Sequence, residues 1–387
     1  MTQCNRRAFF QGNLLGAAGL LAGRNLVHSD EGPRESFTHD LSCPIVLHQT
    51  DLFHPHADPD DHFDLAVVFA LALQGYIDLR GVILDYPVMD WVNGDPAVVA
   101  VAQMNRICGS HVPGVVGSRL KMRTADDRLD DAPARELAAV HFILDVLRRA
   151  ERPVRFKCGS SAPDVAVAAL REPDLFREKC AGLYVNCGSA FPNPNKPDEE
   201  EYNITANRAG QAALFNDVPC PVYWFPCWHT TLDWKMGGNA TYFEGAHELL
   251  LNEASPALRY FMYYMFSHSQ DVNWMRNMEN GVEDDPWFKM IRTQNNGARS
   301  LWATTSLFML ANRTVTRDGD IVATDEVDPN DALYRLENIH VKADDRGRIT
   351  WNYCDEESNR KIFHVLDDEK YCPAMLRATN TLLKTLI

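Results

Sequence analysis

The body of this chain has no run of about 18 or more apolar residues, the length an apolar helix needs to cross a bilayer, so no membrane span is expected there. Positive charge is scarce: 38 Lys and Arg stand against 53 Asp and Glu, for a formal net charge of -15. A surface of that sign repels nucleic acid and other polyphosphates, and a neutral small molecule or a sugar suits it better. The ten cysteines include no C-x-x-C pair and no Cys/His cluster at zinc-finger spacing, which excludes a structural zinc of that kind. Cys4 lies before the first apolar stretch, where a lipid-anchor cysteine would not be. No internal repeat or low-complexity tract stands out.

The chain does have a distinctive start. Arg6-Arg7 precede Phe9 and the weakly apolar stretch NLLGAAGLLAG at 13–23. This resembles a twin-arginine export signal, which implies a periplasmic or extracellular destination. No A-x-A triplet marks a cleavage site. Residues 1–35 are therefore read as signal and linker and set aside, leaving a single domain over 44–387.

A chain of 387 residues at 45% hydrophobic composition can bury a large core. Short apolar runs alternate with helical patterns. Residues 44–49 (PIVLHQ) read as a strand and 65–71 as helix, followed by a strand at 79–84, a helix at 96–107 and a strand at 112–116. Beyond an acidic, Arg-rich linker at 122–135, the alternation resumes: helix 136–150, strand 154–158, helix 162–170, strand 182–186, helix 208–215, strand 222–225. This rhythm predicts a mainly parallel, Rossmann-like α/β sheet covered by helices, whose ligand sites lie beyond the carboxyl ends of the strands. Residues 236–312 read as mostly helical; the aromatic run 259–266 suits a core more than an interface, since rings at helical spacing usually pack inward. Residues 338–342 and 348–352 flank the turn Asp344-Asp345-Arg346-Gly347 and read as a C-terminal β-hairpin.

The first strand runs straight into TDLFHPHADPDDHFDLA, which holds Asp51, Asp58, Asp60, Asp61 and Asp64. Helix capping accounts for part of this: Asp58 suits an N-cap, Pro59 a first helical position, and Asp60 and Asp61 complement the helix dipole. Asp51 and Asp64 remain, with His54, His56 and His62 around them, and Asp60 and Asp64 share a helix face. Carboxylates gathered at a strand end are what a hard cation such as Ca²⁺ takes as ligands.

On these residues the chain resembles the inosine/uridine-preferring nucleoside hydrolases. The run Thr50-Asp51, Asp60-Asp61 and the helix after it looks like that family's aspartate-rich signature. Gly81-Val82, VPGVVG (112–117), CGSSAPDVAVAALREP (158–173), YVNCGSAF (184–191) and Glu201-Tyr202-Asn203 follow in the family's order, with Asn207 where Asp is usual. The resemblance implies a Ca²⁺ ion held by Asp51, Asp60 and Asp61, and Asp51 as the general base that activates water. It also implies Asn203, Glu201 and, on the loop before them, Asn195 (with Asn193) as partners of sugar hydroxyls. The implied reaction is hydrolysis of the N-glycosidic bond of a nucleoside or related glycoside, and the family's dimers and tetramers imply a possible homo-oligomer.

The departures are specific. The loop from Asp51 to Asp60 is longer than the family's, and the usual Asn after the second strand is replaced by Asp85-Tyr86-Pro87. The family's late His-Asp pair, which opens a helix, aligns with Arg299-Ser300 in GARSLWATT. Asp58 or Asp64 is the candidate replacement ligand, and His54, His56 or His229 the candidate acid. Two other readings stand beside the hydrolase: a non-catalytic sugar- or nucleoside-binding protein of the same fold, and a metal-dependent esterase or phosphoesterase using the Asp/His-rich loop.

Overall fold

Strand β1 (Ile45–Thr50) is buried along its whole length, as a strand covered on both faces must be. It sits inside a nine-stranded sheet with β2 (Asp78–Leu84), β3 (Gly114–Val116), β4 (Val154–Cys158), β5 (Cys180–Asn186), β6 (Val222–Phe225), β7 (Tyr334–Ala343), β8 (Ile349–Tyr353) and β9 (Arg360–Val365). The order across the sheet is β8-β7-β9-β6-β5-β4-β1-β2-β3. All neighbours from β9 to β3 are parallel, and β7 runs antiparallel to both β9 and β8. The computed structural model describes residues 43–55, 58–86, 94–191, 201–227, 238–267, 269–280 and 298–387. The twin-arginine segment, His56, Asn193, Asn195 and His229 lie outside them.

The mainly parallel sheet, its covering helices and the β7–β8 hairpin are the architecture expected from the alternating pattern. The chain builds β1, steps outward to β2 and β3, then returns to lay β4 on the other side of β1. The order therefore reverses between β1 and β4, and the crevice beyond the carboxyl ends of those two strands is where an open α/β sheet binds ligands. The opposite end is charge-paired: Asp78, at the start of β2, is bonded by Arg80 at 2.7 Å and Arg152 at 3.0 Å.

Helix α1 (Asp60–Leu73) follows β1 and is buried on every side, Leu73 being the one residue of the helix outside its buried set. A helix apolar all round belongs inside, and burial of Phe63, Leu65, Val67, Phe69 and Leu71 each contributes about 1.5–3 kcal/mol. Its first turn carries the acidic residues into that interior. The described part of 236–312 holds the helices His247–Leu251, Pro256–Phe266, Trp274–Asn277 and Thr304–Leu310, and also two strands, Phe243–Ala246 and Ala298–Leu301, which pair antiparallel. In Pro256–Phe266 the side chains of Tyr260, Phe261, Tyr264 and Phe266 are buried, the core packing expected of that aromatic run. No helix among the described residues is long and apolar enough to cross a membrane.

Candidate active site

The carboxyl ends of the central strands deliver the polar groups. β1 ends on Gln49 and Thr50 and is followed by Asp51; beyond β2 comes Asp85; beyond β4, Gly159, Ser160 and Ser161; β5 ends on Asn186, followed by Cys187 and Gly188. The first turn of α1 brings Asp60 and Asp61 to the same end, with Asp64 one turn on from Asp60. Asp58 acts as the cap expected of it, its Oδ1 accepting the Asp60 N–H at 2.9 Å. Asp51 is half-buried, whereas Asp60, Asp61, Asp64 and Asp85 are buried.

The neighbouring aspartates Asp60 and Asp61 do different things. Asp60 Oδ2 accepts the backbone N–H of Trp302 at 2.8 Å, and Asp64, one turn on, accepts the hydroxyl of Thr304. That face of α1 is thus tied to the segment 302–304. Asp61 instead feels Asp51, Asp58, Asp60 and Asp64; burial and these four charges hold its carboxyl well above the usual range. Asp51 is raised as well, first by desolvation and then by Asp85, with Asp58 and Glu201 adding to it. Among the described residues, the charges that act most on Asp51 and Asp61 are all negative. Such a pair keeps a proton or takes a cation.

A fixed cation lies on the other side. Lys157, on β4 beside His48 of β1, is fully buried and donates to Asn186 Oδ1 at 2.9 Å; Asn186 Oδ1 also accepts Ser306 Oγ at 2.7 Å. Desolvation lowers the Lys157 pKa, opposed first by Asp64 and then by Cys158, Cys227 and Asp60. Asp64 is raised to about 6 by desolvation, with Lys157 and the Thr304 hydroxyl pulling the other way. Both partners are pushed toward their neutral forms because burial outweighs their attraction. His48, fully buried, is held neutral by desolvation and by Lys157.

On the opposite face of the sheet Gln49 Nε2 donates to Asp85 at 2.5 Å and to Asp164 at 3.4 Å. Asp85 also accepts Ser161 Oγ at 2.6 Å, and Asp164 accepts the Ser118 N–H at 3.2 Å. Gly117 permits that contact, since a Cβ there would lie 2.4 Å from Asp164 Oδ2. Asp164 is raised to about 7, by desolvation first and then by Asp85.

The residues singled out from sequence fall into distinct groups. Asp51, Asp58 and Asp61 come together, with Asp85 close by, although its position had read only as a departure from the family. Glu201 caps the turn that follows it: Oε2 accepts Gly188 N–H at 2.7 Å and Oε1 accepts Asn203 N–H at 3.0 Å. The Asn203 amide donates to the carbonyls of Asn186 at 3.0 Å and Gly159 at 3.5 Å, which leaves its oxygen as the atom it can offer a ligand. His54 is stacked on Tyr264 with ring centroids 5.0 Å apart, and its Nε2 meets the Ser269 carbonyl at 2.6 Å; it belongs to the packing of the aromatic helix. Arg299 and Ser300, aligned with the family's helix-opening pair, instead lie in the strand Ala298–Leu301, and the helix opens at Thr304.

Sequence reasoning missed Lys157, Thr304 and Tyr202. A lysine inside a strand carries no motif, and Thr304 is a helix-start residue like any other. Tyr202 had been read only as part of the Glu-Tyr-Asn element, yet desolvation and the charges of Asp51, Asp85, Asp61 and Glu201 raise its phenol. That keeps it protonated beside the carboxylates.

The donor set is all oxygen, the chemistry of a hard cation, and the negative charges around Asp51 and Asp61 fit one. Among the described residues, however, no three of these carboxylates each bring an oxygen within 4.8 Å of the others, so side chains would have to turn inward to share an ion. A separate hollow of about 720 Å³, lined by groups such as Phe243, Gly245, Tyr371 and Leu376, excludes these aspartates and has a mostly apolar wall.

No family model and no curated protein matches this chain. Among solved structures, the effector protein XOO4466 matches with a TM-score of 0.50 at 15% identity, over 89% of this chain and 95% of that one. An inosine-uridine preferring nucleoside hydrolase from Bacillus anthracis matches with a TM-score of 0.48 at 12% identity, over 87% and 99%. The type III effector XopQ, solved with adenosine diphosphate ribose, matches with a TM-score of 0.48 at 15% identity, over 89% and 94%. At 15% identity the likeness to the effector protein is one of fold alone.

Proposed function

We propose that this chain hydrolyses the N-glycosidic bond of a nucleoside or a related ribosyl compound, with Asp51 as the base that takes a proton from water. The observation that carries the reading is the Asp51/Asp61 pair, raised by its surroundings and by like charge, at the reversal of strand order in a nucleoside hydrolase-like fold. A carboxylate whose proton affinity is lifted toward neutrality is a better base near pH 7 than an ordinary aspartate. Nearby negative charge also favours the oxocarbenium-like state through which a glycosidic bond breaks.

Asp51 and Asp61, with Asp58 beside them, would hold a Ca²⁺ ion; Asp60 has one oxygen engaged by Trp302 and contributes at most the other. When bound, the ion lowers the pKa of its water and anchors vicinal hydroxyls. Tyr202, protonated beside Asp51, Asp85 and Asp61, supplies a hydrogen-bond donor that His54 cannot, and the Asn203 oxygen accepts from a sugar hydroxyl. Gln49 and Ser161 keep Asp85 in place by hydrogen bonds to its carboxylate.

The test is release of free ribose from a panel of nucleosides by the purified chain, with Ca²⁺ or with chelator, alongside Asp61→Asn. Chelator-sensitive release that the substitution abolishes is the expected result. The engagement of Asp60 by Trp302 and of Asp64 by Thr304 favours a second reading, a binding protein that has turned part of its acidic set to structural use. Nucleoside or ribose binding by calorimetry without turnover would establish that instead.

A further inference from the structure

The outer hairpin carries a second set of ligating side chains, unconnected with the aspartates. Strands β7 and β8 pair antiparallel with His340 opposite Asn352, and β8 is the edge of the sheet. The chain leaving β8 folds back over β7: Cys354 N–H donates to the Asn338 carbonyl at 3.1 Å, and Ser358 Oγ to the Ile339 carbonyl at 3.0 Å. Those bonds bring Cys354 and Glu356 up against His340. One ligand atom from each of the three lies within 4.8 Å of the other two, and His340 Nε2 is 2.7 Å from Glu356 Oε1.

We propose that His340, Cys354 and Glu356 form a binding site for a divalent transition metal of the zinc class. Tetrahedral zinc with sulfur, nitrogen and oxygen ligands places ligand atoms roughly 3.3–3.7 Å apart, so the three need only small side-chain shifts to share an ion. Thiolate and imidazole select zinc, cobalt or copper over Ca²⁺ and Mg²⁺, which separates this site from the all-oxygen aspartate cluster. Asp355 and Glu357 flank the ligands and add the negative potential that draws a cation. His340 and Glu356 are exposed and Cys354 is half-buried, so an ion reaches them without opening the core. Three protein ligands leave a fourth position for water or for a side chain of another molecule.

The experiment strips the full chain with chelator, adds excess Ca²⁺ to occupy oxygen sites, and titrates Co²⁺ while recording the absorption spectrum. One equivalent should produce a thiolate-to-cobalt charge-transfer band with visible bands of tetrahedral intensity, and Zn²⁺ should bleach both. Cys354→Ser should remove the charge-transfer band, and His340→Ala should weaken Co²⁺ binding by at least about tenfold; circular dichroism confirms that each variant is folded. Absence of the band, or a band unchanged in Cys354→Ser, overturns the site and leaves His340 and Glu356 as an ion pair on the hairpin surface. Among the described residues, the thiols of Cys108 and Cys372, also short of full burial, are the alternative sources that Cys354→Ser discriminates.

Discussion

Thr304 donates its hydroxyl to Asp64, so the first turn of the helix Thr304–Leu310 is tied to the start of α1, one turn in from Asp60. Both residues are buried, and the bond pins the segment 302–304 over the aspartates. Thr304→Val keeps the shape and removes the donor. It should cost about 1–3 kcal/mol, the penalty of a buried acceptor left unmet, measured by urea denaturation. An unchanged midpoint would show that the bond carries no stability.

Lys157 and Asp64 are more strongly coupled. Lys157→Met strands a buried carboxylate and should destabilise by about 3–5 kcal/mol, whereas Lys157→Met with Asp64→Leu should recover most of that loss, because an apolar pair needs no counter-charge. Denaturation of both variants against wild type checks this. A double variant as unstable as the single one would mean that Lys157 acts through Asn186 and not through Asp64.

Asp51 and Asp61 should behave in the opposite sense. Each carboxyl is raised in the folded chain, so its ionised form at pH 7–8 opposes folding. Asp61→Asn should therefore raise the melting temperature in chelator by a few degrees and at the same time abolish any increase produced by Ca²⁺. Loss of stability in chelator would contradict the reading of an uncompensated pair.

Asp164 supplies the pH dependence. Its folded pKa is raised to about 7 against 3.8 for the ordinary group, so the folded chain binds a proton that the unfolded chain has already released. Stability from this residue is present in full below pH 4, declines as pH climbs from about 4 to about 7, and is flat above that. Asp164→Asn should flatten this decline, and at pH 8 it should gain up to a few kcal/mol relative to wild type. Thermal melts of both proteins at pH 5 and pH 8 give the comparison, and parallel slopes would exclude Asp164 as the source.

Much of the fold was legible because strand and helix impose different periods. The run at 44–49, the helix after Pro59 and the repeats through 222–225 announce a parallel sheet without reference to any distant contact. The Asp58 cap and the hairpin around 344–347 were equally local, as turn and cap chemistry depends on neighbours in sequence. The strand Ala298–Leu301 was not legible, since its partner Phe243–Ala246 lies far away in the chain.

The site divides along the same line. From the sequence alone came the acidic segment at the end of β1 and its place at the carboxyl edge of a parallel sheet, because both follow from residue order. Only the tertiary structure separated Asp60 from Asp61, one turned to Trp302 and the other to Asp51. It alone placed the buried Lys157 beside Asp64, spent the oxygens of Glu201 on backbone N–H groups, and brought His340 to Cys354 across a hairpin. Charge interactions and hydrogen bonds act over a few ångströms of space, and a sequence records only distance along the chain.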